Sequence, residues 1–202
     1  MDKETEKKDR RIDSRAWYIT LGVVAVVLVI CIVRVITGKE EIGDREETLN
    51  TMTCFQDFET TDLDGNVVDE TILSDYKMTV INCWGTFCGP CIAEMPDLYE
   101  LSQEYEAKGV QIIGLCTDIT DRKANVDQSV LEDAKSIVSS TGAAYTHLIP
   151  SPEIVQSCTS NLVAVPTTIF VDAEGNVISY TMGSVDIDSW RQIIDEQLAA
   201  VE

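Results

Sequence analysis

The feature that most constrains the fold of this chain is a pair of cysteines between an apolar run and a predicted helix. Cys88-Gly89-Pro90-Cys91 closely follows the apolar residues Met78-Thr79-Val80-Ile81. Two cysteines three apart on the first turn of a helix can form a disulfide with little backbone movement. The helix N-terminus also favours a thiolate, the species that attacks disulfides. The spacing therefore predicts a redox dithiol in which Cys88 is the nucleophile and Cys91 resolves the mixed disulfide.

A second feature predicts a membrane span. Residues 16–36 are almost entirely apolar, and as a helix they would reach about 31 Å, which matches a bilayer core. Trp17 and Tyr18 stand where interfacial aromatic residues are expected, and the long side chain of Arg34 can extend to the headgroups. A cleaved signal peptide, or a lipoprotein signal ending at Cys31, fits less well because the run is long and no small residue precedes that cysteine.

The distribution of basic residues predicts the orientation of this span. Six Lys or Arg precede it, whereas only Lys39 and Arg45 follow closely. The positive-inside rule then places the N-terminus in the cytoplasm, so that a single-pass protein of the bacterial cytoplasmic membrane exposes its cysteine pair outside. We expect a cytoplasmic tail (1–15), an uncleaved signal anchor (16–37), a flexible acidic linker (38–50) and a globular domain (51–202).

Net charge excludes one class of partner. Residues 1–37 contain seven Lys or Arg and five Asp or Glu, whereas residues 38–202 contain eight and thirty. Such an acidic domain repels phosphate backbones, so nucleic-acid binding is not expected.

Local patterns in residues 51–202 predict an α/β domain. A hairpin is indicated by Cys54–Thr61 and Val67-Val68, which flank an Asp-Gly turn. Further strands are predicted at 78–84, 110–116, 145–148, 167–172 and 177–182, and helices at 88–108, 125–140, 152–157 and 186–200. Pro96 is expected to kink the first of these helices. The order strand, helix, strand around the cysteine pair predicts a parallel βαβ unit.

Four motifs in a fixed order make residues 52–200 resemble the thioredoxin superfamily, and in particular its membrane-anchored TlpA/ResA-like thiol-disulfide oxidoreductases. They are residues 80–91 (VINCWGTFCGPC), Glu94-Met95-Pro96, Val165-Pro166-Thr167 and residues 172–177 (DAEGNV). The resemblance implies a thioredoxin-like fold, a central mixed sheet flanked by helices and preceded by a hairpin. It also implies thiol-disulfide exchange with no cofactor or metal.

The resemblance also assigns residues around the dithiol. Pro166 is expected to follow a cis peptide bond and to pack beside the cysteines, with the backbone of Val165 offering hydrogen bonds to substrate. The expected substrate-binding residues are Trp84, Phe87, Gly89, Pro90, Val165 and Pro166.

Three positions depart from familiar patterns of the superfamily. Asn82 replaces the buried aspartate of thioredoxin, so another group or a water molecule must accept the proton of Cys91. Glu94, one helical turn beyond Cys91, is the candidate, and a solvated surface carboxylate is the competing interpretation. Gly89 stands where ResA-like proteins dedicated to apocytochrome c often have an acidic residue, and Phe87 stands where tryptophan is frequent.

The remaining cysteines of the domain number four, which in an exported protein suggests structural disulfides. Cys83 and Cys116 lie in apolar strands, and we interpret them as buried hydrophobic side chains. Cys158, eight residues before Pro166, is a candidate for an additional resolving thiol, whereas Cys54 is left without a predicted role. His147 is the sole histidine, which excludes a site built from several His ligands.

The function that the resemblance implies is reduction of disulfides in exported proteins, with electrons from a membrane donor of the CcdA/DsbD type. The Gly-Pro pair between the cysteines is similar to that of reducing thioredoxins. A disulfide oxidase or an apocytochrome c reductase of the same fold stays open, as does a metal-delivery module with Cys88 and Cys91 as ligands. A peroxidase is disfavoured because Ile81 and Gly85 replace the proline and the Thr or Ser that peroxiredoxins require.

The anchor prediction is tested by the mass of the mature protein. We expect the purified protein to retain residues 1–37, because the apolar segment lacks a small-x-small cleavage site. Intact-mass spectrometry of the membrane fraction measures this directly. A mature chain that begins at Cys31 or later would contradict the anchor.

Overall fold

The structure is a computed structural model that describes residues 25–29 and 53–201. The chain divides into two compact units, residues 1–44 and 45–202. In the first unit, residues 25–29 are helical with exposed side chains. Neither described range contains a helix long and apolar enough to cross a membrane. Most of the predicted anchor and all of the predicted linker lie outside the described residues.

Seven strands and five α-helices make up residues 53–201. The strands are β1 (Glu59–Asp62), β2 (Val67–Asp69), β3 (Met78–Trp84), β4 (Val110–Cys116), β5 (His147–Ile149), β6 (Thr167–Asp172) and β7 (Val177–Met182). The helices are α1 (Thr71–Ser74), α2 (Gly89–Glu106), α3 (Gln128–Thr141), α4 (Pro152–Ser157) and α5 (Ile187–Val201), with a 3₁₀ turn at Thr159–Asn161.

The strands form one mixed sheet in the order β2-β1-β5-β4-β3-β6-β7. β3 pairs in parallel with β4 and antiparallel with β6, and all seven of its residues are buried. A strand covered on both faces is mostly apolar, which is why this segment is recognisable in the sequence. The predicted parallel β3-α2-β4 unit and the predicted hairpin, β1 with β2, are both confirmed.

The core is divided between the two faces of the sheet. On one face, Val80 belongs to a cluster with Leu98 of α2 and Trp190 of α5. On the other, Ile81 belongs to a cluster with Phe55 and Ile154. Successive strand residues point to opposite faces, so β3 contributes to both clusters.

The segment before β1 differs from the prediction. The expected strand began at Cys54, but residues 53–58 form turns, and strand pairing starts at Glu59. Phe55 and Phe58 are both buried and contact each other edge to face, with ring centroids 6.3 Å apart. Residues three apart in a strand point to opposite faces, so burying both rings in one cluster requires a turn.

Where other boundaries differ from the prediction, they shift by one to three residues. Helix α3 begins at Gln128 instead of 125, because the Asp127 carboxylate accepts hydrogen bonds from the backbone N–H groups of Ser129 and Val130 and caps the helix there. Strand β5 occupies 147–149 instead of 145–148. Pro96 lies inside α2, which continues to Glu106.

Three surface turns share one pattern of hydrogen bonds. They are Asp62–Asn66, Asp121–Asn125 and Asp172–Asn176. In each, the aspartate carboxylate accepts hydrogen bonds from the N–H groups two and four residues later, and the asparagine amide donates to its second oxygen. The fourth residue has a left-handed backbone: φ is +86° at Gly65, +58° at Ala124 and +78° at Gly175.

These turns predict three different effects of similar substitutions. Gly65→Ala should cost about 1 kcal/mol of unfolding free energy, because a Cβ is strained at positive φ although nothing lies within 4 Å of it. Gly175→Ala should cost more, because its Cβ would lie 2.1 Å from the backbone oxygen of Phe55. Ala124→Gly should relieve the strain and stabilise the protein by up to about 1 kcal/mol. Urea unfolding measures all three, and equal costs at Gly65 and Gly175 would contradict the packing argument.

Candidate active site

The cysteine pair lies where β3 leads into α2. Cys88 is the N-cap of α2, and its sulfur accepts a hydrogen bond from the Cys91 N–H at 3.3 Å. Pro90 fits the first turn because that position needs no N–H donor. Cys88 and Cys91 are joined by a disulfide with Cα atoms 5.3 Å apart. Cys88 keeps 6% of its surface exposed and Cys91 none, so Cys88 is the sulfur that a second molecule can reach.

The loop before β6 lies directly against Cys88. The Val165-Pro166 peptide bond is cis, as the resemblance implies, and the Val165 carbonyl oxygen is 3.6 Å from the Cys88 sulfur. Sheet register explains this contact: Cys83 near the end of β3 is opposite Thr167 at the start of β6. The residues just before β6 therefore reach the start of α2.

An open groove of about 1140 Å³ adjoins the Val165 loop. The Phe87 ring, 76% exposed, and Val163, 49% exposed, give it an apolar wall. Asp121 and Arg122 add charges of both signs along the lining. Gly89 and Pro90 are also exposed beside the disulfide. The groove thus offers apolar surface and polar groups within one concave surface.

Trp84 is not part of this surface, which corrects the expectation that it contributes to docking. Its side chain is fully buried, since it points from β3 toward α2 and is covered there. The ring contacts His147 edge to face at 5.6 Å, and His147 in turn stacks on Tyr145 at 4.4 Å. Trp84 therefore supports the site from below.

The His147 ring fits only because the neighbouring strand carries a glycine. A Cβ on Gly114 would lie 2.1 Å from His147 Nδ1. Burial lowers the pKa of His147 to about 4, so the imidazole is neutral at pH 7. Its Nε2 lies 3.1 Å from the Ala143 carbonyl oxygen, to which it donates. His147 acts as a buried aromatic support, in agreement with its interpretation as a strand residue.

A buried polar group lies between the sheet and α2. The Asn82 side-chain amide donates to Glu94 Oε1 and to Thr168 Oγ1, both at 3.0 Å. Glu94 is 3% exposed, so the competing interpretation as a solvated carboxylate is wrong. Burial raises the pKa of Glu94 to about 7, and the Asn82 hydrogen bond opposes that rise. Glu94 Oε2 has no close hydrogen-bond partner among residues 53–201, and weaker interactions with Trp190 and Val185 lower the pKa less than burial raises it.

Asp118 is a structural support of the site that sequence reasoning missed. Its carboxylate accepts hydrogen bonds from the Thr86 N–H at 3.1 and 3.0 Å and from the Thr86 hydroxyl at 2.6 Å. These bonds fix the segment that connects β3 to Cys88. The signal was available: Asp118 lies two residues beyond β4, and the carboxyl ends of adjacent parallel strands meet at one edge of the sheet.

Cys158 is not close to the dithiol, which corrects its candidacy as an additional resolving thiol. It is buried in the cluster on the opposite face of the sheet from α2. Cys83 and Cys116 are buried free thiols, as predicted. Burial raises the pKa of Cys116 well above its usual range, so it stays protonated.

The buried carboxyl group predicts a pH-dependent stability. The folded pKa of Glu94, about 7, exceeds its ordinary value of 4.5, so the folded state binds more protons between these pH values. The stability contribution of this group is therefore present below pH 4.5 and falls as pH rises to 7, by about 3 kcal/mol. Glu94→Gln should lose this dependence, so that its stability relative to wild type increases between pH 5 and pH 8.

Urea unfolding of both proteins at the two pH values measures this difference. Other carboxylates contribute equally to both proteins and cancel. The matched control is Glu132→Gln at an exposed position of α3, which should show no such change. A wild-type-to-Glu94→Gln difference that is the same at pH 5 and pH 8 would contradict the assignment.

This chain is similar to known proteins in both sequence and fold. The Redoxin family model matches residues 50–197. The thiol-disulfide oxidoreductase ResA of Bacillus thuringiensis subsp. konkukian is 30% identical over 163 residues, covering 79% of this chain and 86% of ResA. The thiol:disulfide interchange protein HelX of Rhodobacter capsulatus is 29% identical over 164 residues, covering 81% of this chain and 78% of HelX.

Solved structures agree on the fold. A thiol:disulfide interchange protein of the thioredoxin family from Chlorobium tepidum TLS superposes with a TM-score of 0.58 at 21% identity, over 71% of this chain and 94% of that one. The sheet, the Cys88–Cys91 disulfide and the cis-proline loop are thus found in a chain whose sequence relatives are named for thiol-disulfide exchange. The chain belongs to the Redoxin family and is a ResA-like thiol-disulfide oxidoreductase of the thioredoxin superfamily.

Proposed function

We propose that the protein is a membrane-tethered, extracytoplasmic reductase of disulfides in exported proteins. The observation that carries the substrate class is the open groove beside Val165, whose carbonyl contacts the Cys88 sulfur. A substrate cysteine must approach Cys88 across this surface. The groove is wide and open, which suits a polypeptide segment better than an enclosed small molecule.

The walls of the groove favour an extended segment with an apolar side chain near its cysteine. Phe87 and Val163 supply apolar contacts, and residues 162–165 lie outside any strand or helix, so they offer backbone groups for strand-like hydrogen bonds. Exported proteins with misplaced or incomplete disulfides expose such segments. This supports unfolded or partly folded proteins as substrates.

In the proposed reaction the enzyme begins with two thiols. The Cys88 thiolate attacks one sulfur of the substrate disulfide, and the other substrate sulfur leaves as a thiolate that takes up a proton. The Cys91 thiol then loses its proton and attacks Cys88, which releases the second substrate thiol and leaves the Cys88–Cys91 disulfide. Two electrons pass to the substrate, and a membrane donor of the CcdA/DsbD type returns them.

Glu94 is the proposed acceptor of the Cys91 proton. It lies on α2 one turn beyond Cys91, and a carboxyl group with a pKa of about 7 is poised to gain and lose a proton near neutral pH. Asn82 cannot titrate and instead holds Glu94 through its side-chain amide. Proton transfer by Glu94 is supported by this burial and pKa.

The membrane tether and the outward orientation rest on the sequence. An apolar segment that predicts a span precedes the domain, and basic residues precede the segment. The Gly-Pro pair between the cysteines supports reduction rather than oxidation of substrates. The acidic domain would remain soluble beside the membrane surface.

The proposal predicts covalent trapping of substrates. Cys91→Ser should prevent resolution, so that mixed disulfides accumulate on Cys88 in cells that make the full chain. Affinity purification without reductant, followed by reduction and mass spectrometry, identifies the captured proteins. We expect exported proteins that contain cysteines, and a several-fold lower yield when Phe87→Ala is added, because the apolar wall is lost.

Two controls separate specific capture from background. Cys88→Ser with Cys91→Ser should capture nothing, and Val67→Ala should leave the yield unchanged because Val67 is an exposed apolar residue on β2, at the edge of the sheet. Capture of cytoplasmic proteins alone would contradict the orientation. A reduction potential near that of DsbA, about −120 mV, would contradict the reducing direction.

A further inference from the structure

Three free thiols lie together on the face of the sheet that points away from α2. They belong to Cys54, Cys83 and Cys158, all of which are buried in one cluster. Asn82 and Trp84 on β3 face α2, so the alternation of the strand directs Cys83 to the opposite face. The cluster is therefore separated by the sheet from the Cys88–Cys91 disulfide and has no part in its exchange chemistry.

Cys158 is the central member of this cluster. Its thiol interacts with the thiols of both Cys54 and Cys83. The Cys54 thiol interacts with the Cys158 thiol and with the Ser157 side chain. Within the described residues no group of three such side chains is arranged to hold a metal ion. Two thiols in contact can be oxidised to a disulfide.

The backbone decides which pair can form a bond. Bonded sulfurs are about 2 Å apart, closer than any non-bonded contact, so bond formation requires rotation of the side chains and is easiest where the backbone can also adjust. Cys83 lies within β3 and is held by hydrogen-bonded strands on both sides. Cys54 lies in the irregular segment 53–58, and Cys158 lies where α4 ends. This pair can adjust without disturbing the sheet.

We propose that Cys54 and Cys158 form a second, structural disulfide in this protein and that Cys83 remains a thiol. The bond would join the first described segment of the domain to the helix end that leads into the groove. Residues 159–165 follow Cys158 directly and end at Val165, which packs against the same cluster. The disulfide thus fixes the base of the groove loop.

The oxidant required is a disulfide of a small thiol, such as glutathione disulfide. One protein thiolate attacks it to form a mixed disulfide and releases one small thiol. The second protein thiolate then displaces the other small thiol, so the protein loses two electrons and the reagent gains them. The Cys158 thiol and burial raise the pKa of Cys54. The pKa of Cys158 is also raised, because the Cys83 thiol and burial outweigh the opposing effect of Cys54, so the reaction takes place while the chain folds or when segment 53–58 opens.

A bond between these positions closes a loop of about 100 residues, which strongly restricts the unfolded chain. The folded domain should therefore gain thermal stability when the bond forms. This gain does not depend on catalysis, so it is measurable in a protein that lacks the active-site dithiol.

The test starts from the full-length chain in detergent, reduced, denatured and refolded in a mixture of glutathione and glutathione disulfide. Alkylation under denaturing conditions and peptide mass spectrometry should find three of the seven cysteines free, together with a linked Cys54–Cys158 peptide. In a Cys88→Ser, Cys91→Ser protein, the oxidised form should melt about 5 °C or more above the reduced form. Adding Cys54→Ser should abolish that difference.

Cys116→Ser is the matched control, because Cys116 is a buried thiol on the α2 side of the sheet, and the Cys54–Cys158 bond should form without it. Five free thiols in the refolded Cys88→Ser, Cys91→Ser protein would overturn the proposal. So would a linked Cys83–Cys158 peptide. Mapping of the wild-type chain gives the answer even where a variant fails to fold. Failure of the reductase proposal would leave this result unchanged, because no substrate is involved.

Discussion

Strand β3 is the constraint on which the active site depends. All seven of its residues are buried, and both of its edges are hydrogen bonded, so its position is fixed by packing and by pairing together. Its end leads into the segment that carries Cys88. Its register with β6 brings Val165 to the Cys88 sulfur, and its parallel neighbour β4 brings Asp118 to Thr86. Both of these active-site contacts therefore follow from the register of β3 with its two neighbouring strands.

The same strand holds a polar side chain where an apolar one would be more stabilising. Asn82 is fully buried, and its side-chain amide donates hydrogen bonds to Glu94 and Thr168. Together with Glu94 it places an ionisable group on the buried side of α2, one turn beyond Cys91, at a cost in desolvation that a pair of apolar residues would avoid. Such an arrangement is expected where chemistry, rather than stability, determines the residue.

Much of the domain was predictable because its central strands are apolar runs with clear ends. β3, β4, β6 and β7 begin and end where the sequence patterns place them. The segment before β1 was not predictable from alternation, because Phe55 and Phe58 are buried by a turn whose partner, the Asp172–Asn176 turn, is more than a hundred residues away. Local periodicity contains no information on such contacts.

The active site likewise has features that were predictable from local sequence and features that depend on distant segments. The cysteine pair and the cis-proline loop are marked by short motifs, whereas the Trp84 ring was assigned to the surface because its cover, His147 and Tyr145, comes from a distant strand and the loop before it. Asp118 was missed for a related reason: a single aspartate after a strand has many ordinary roles, and the predicted pairing of β3 with β4 does not by itself assign its carboxylate to Thr86. The roles of Trp84 and Asp118 follow from which residues of neighbouring strands cover or contact them in the folded chain.

The contact between Gly114 and His147 has a consequence for how this family of sequences can vary. The imidazole occupies the space in which any side chain at position 114 would have to lie. The two positions therefore behave as a single site of fixed total volume, in which a larger residue on β4 requires a smaller one on β5. A relative that carries alanine or valine at the first position must fill the space under the tryptophan in another way, so the two positions should change together during divergence.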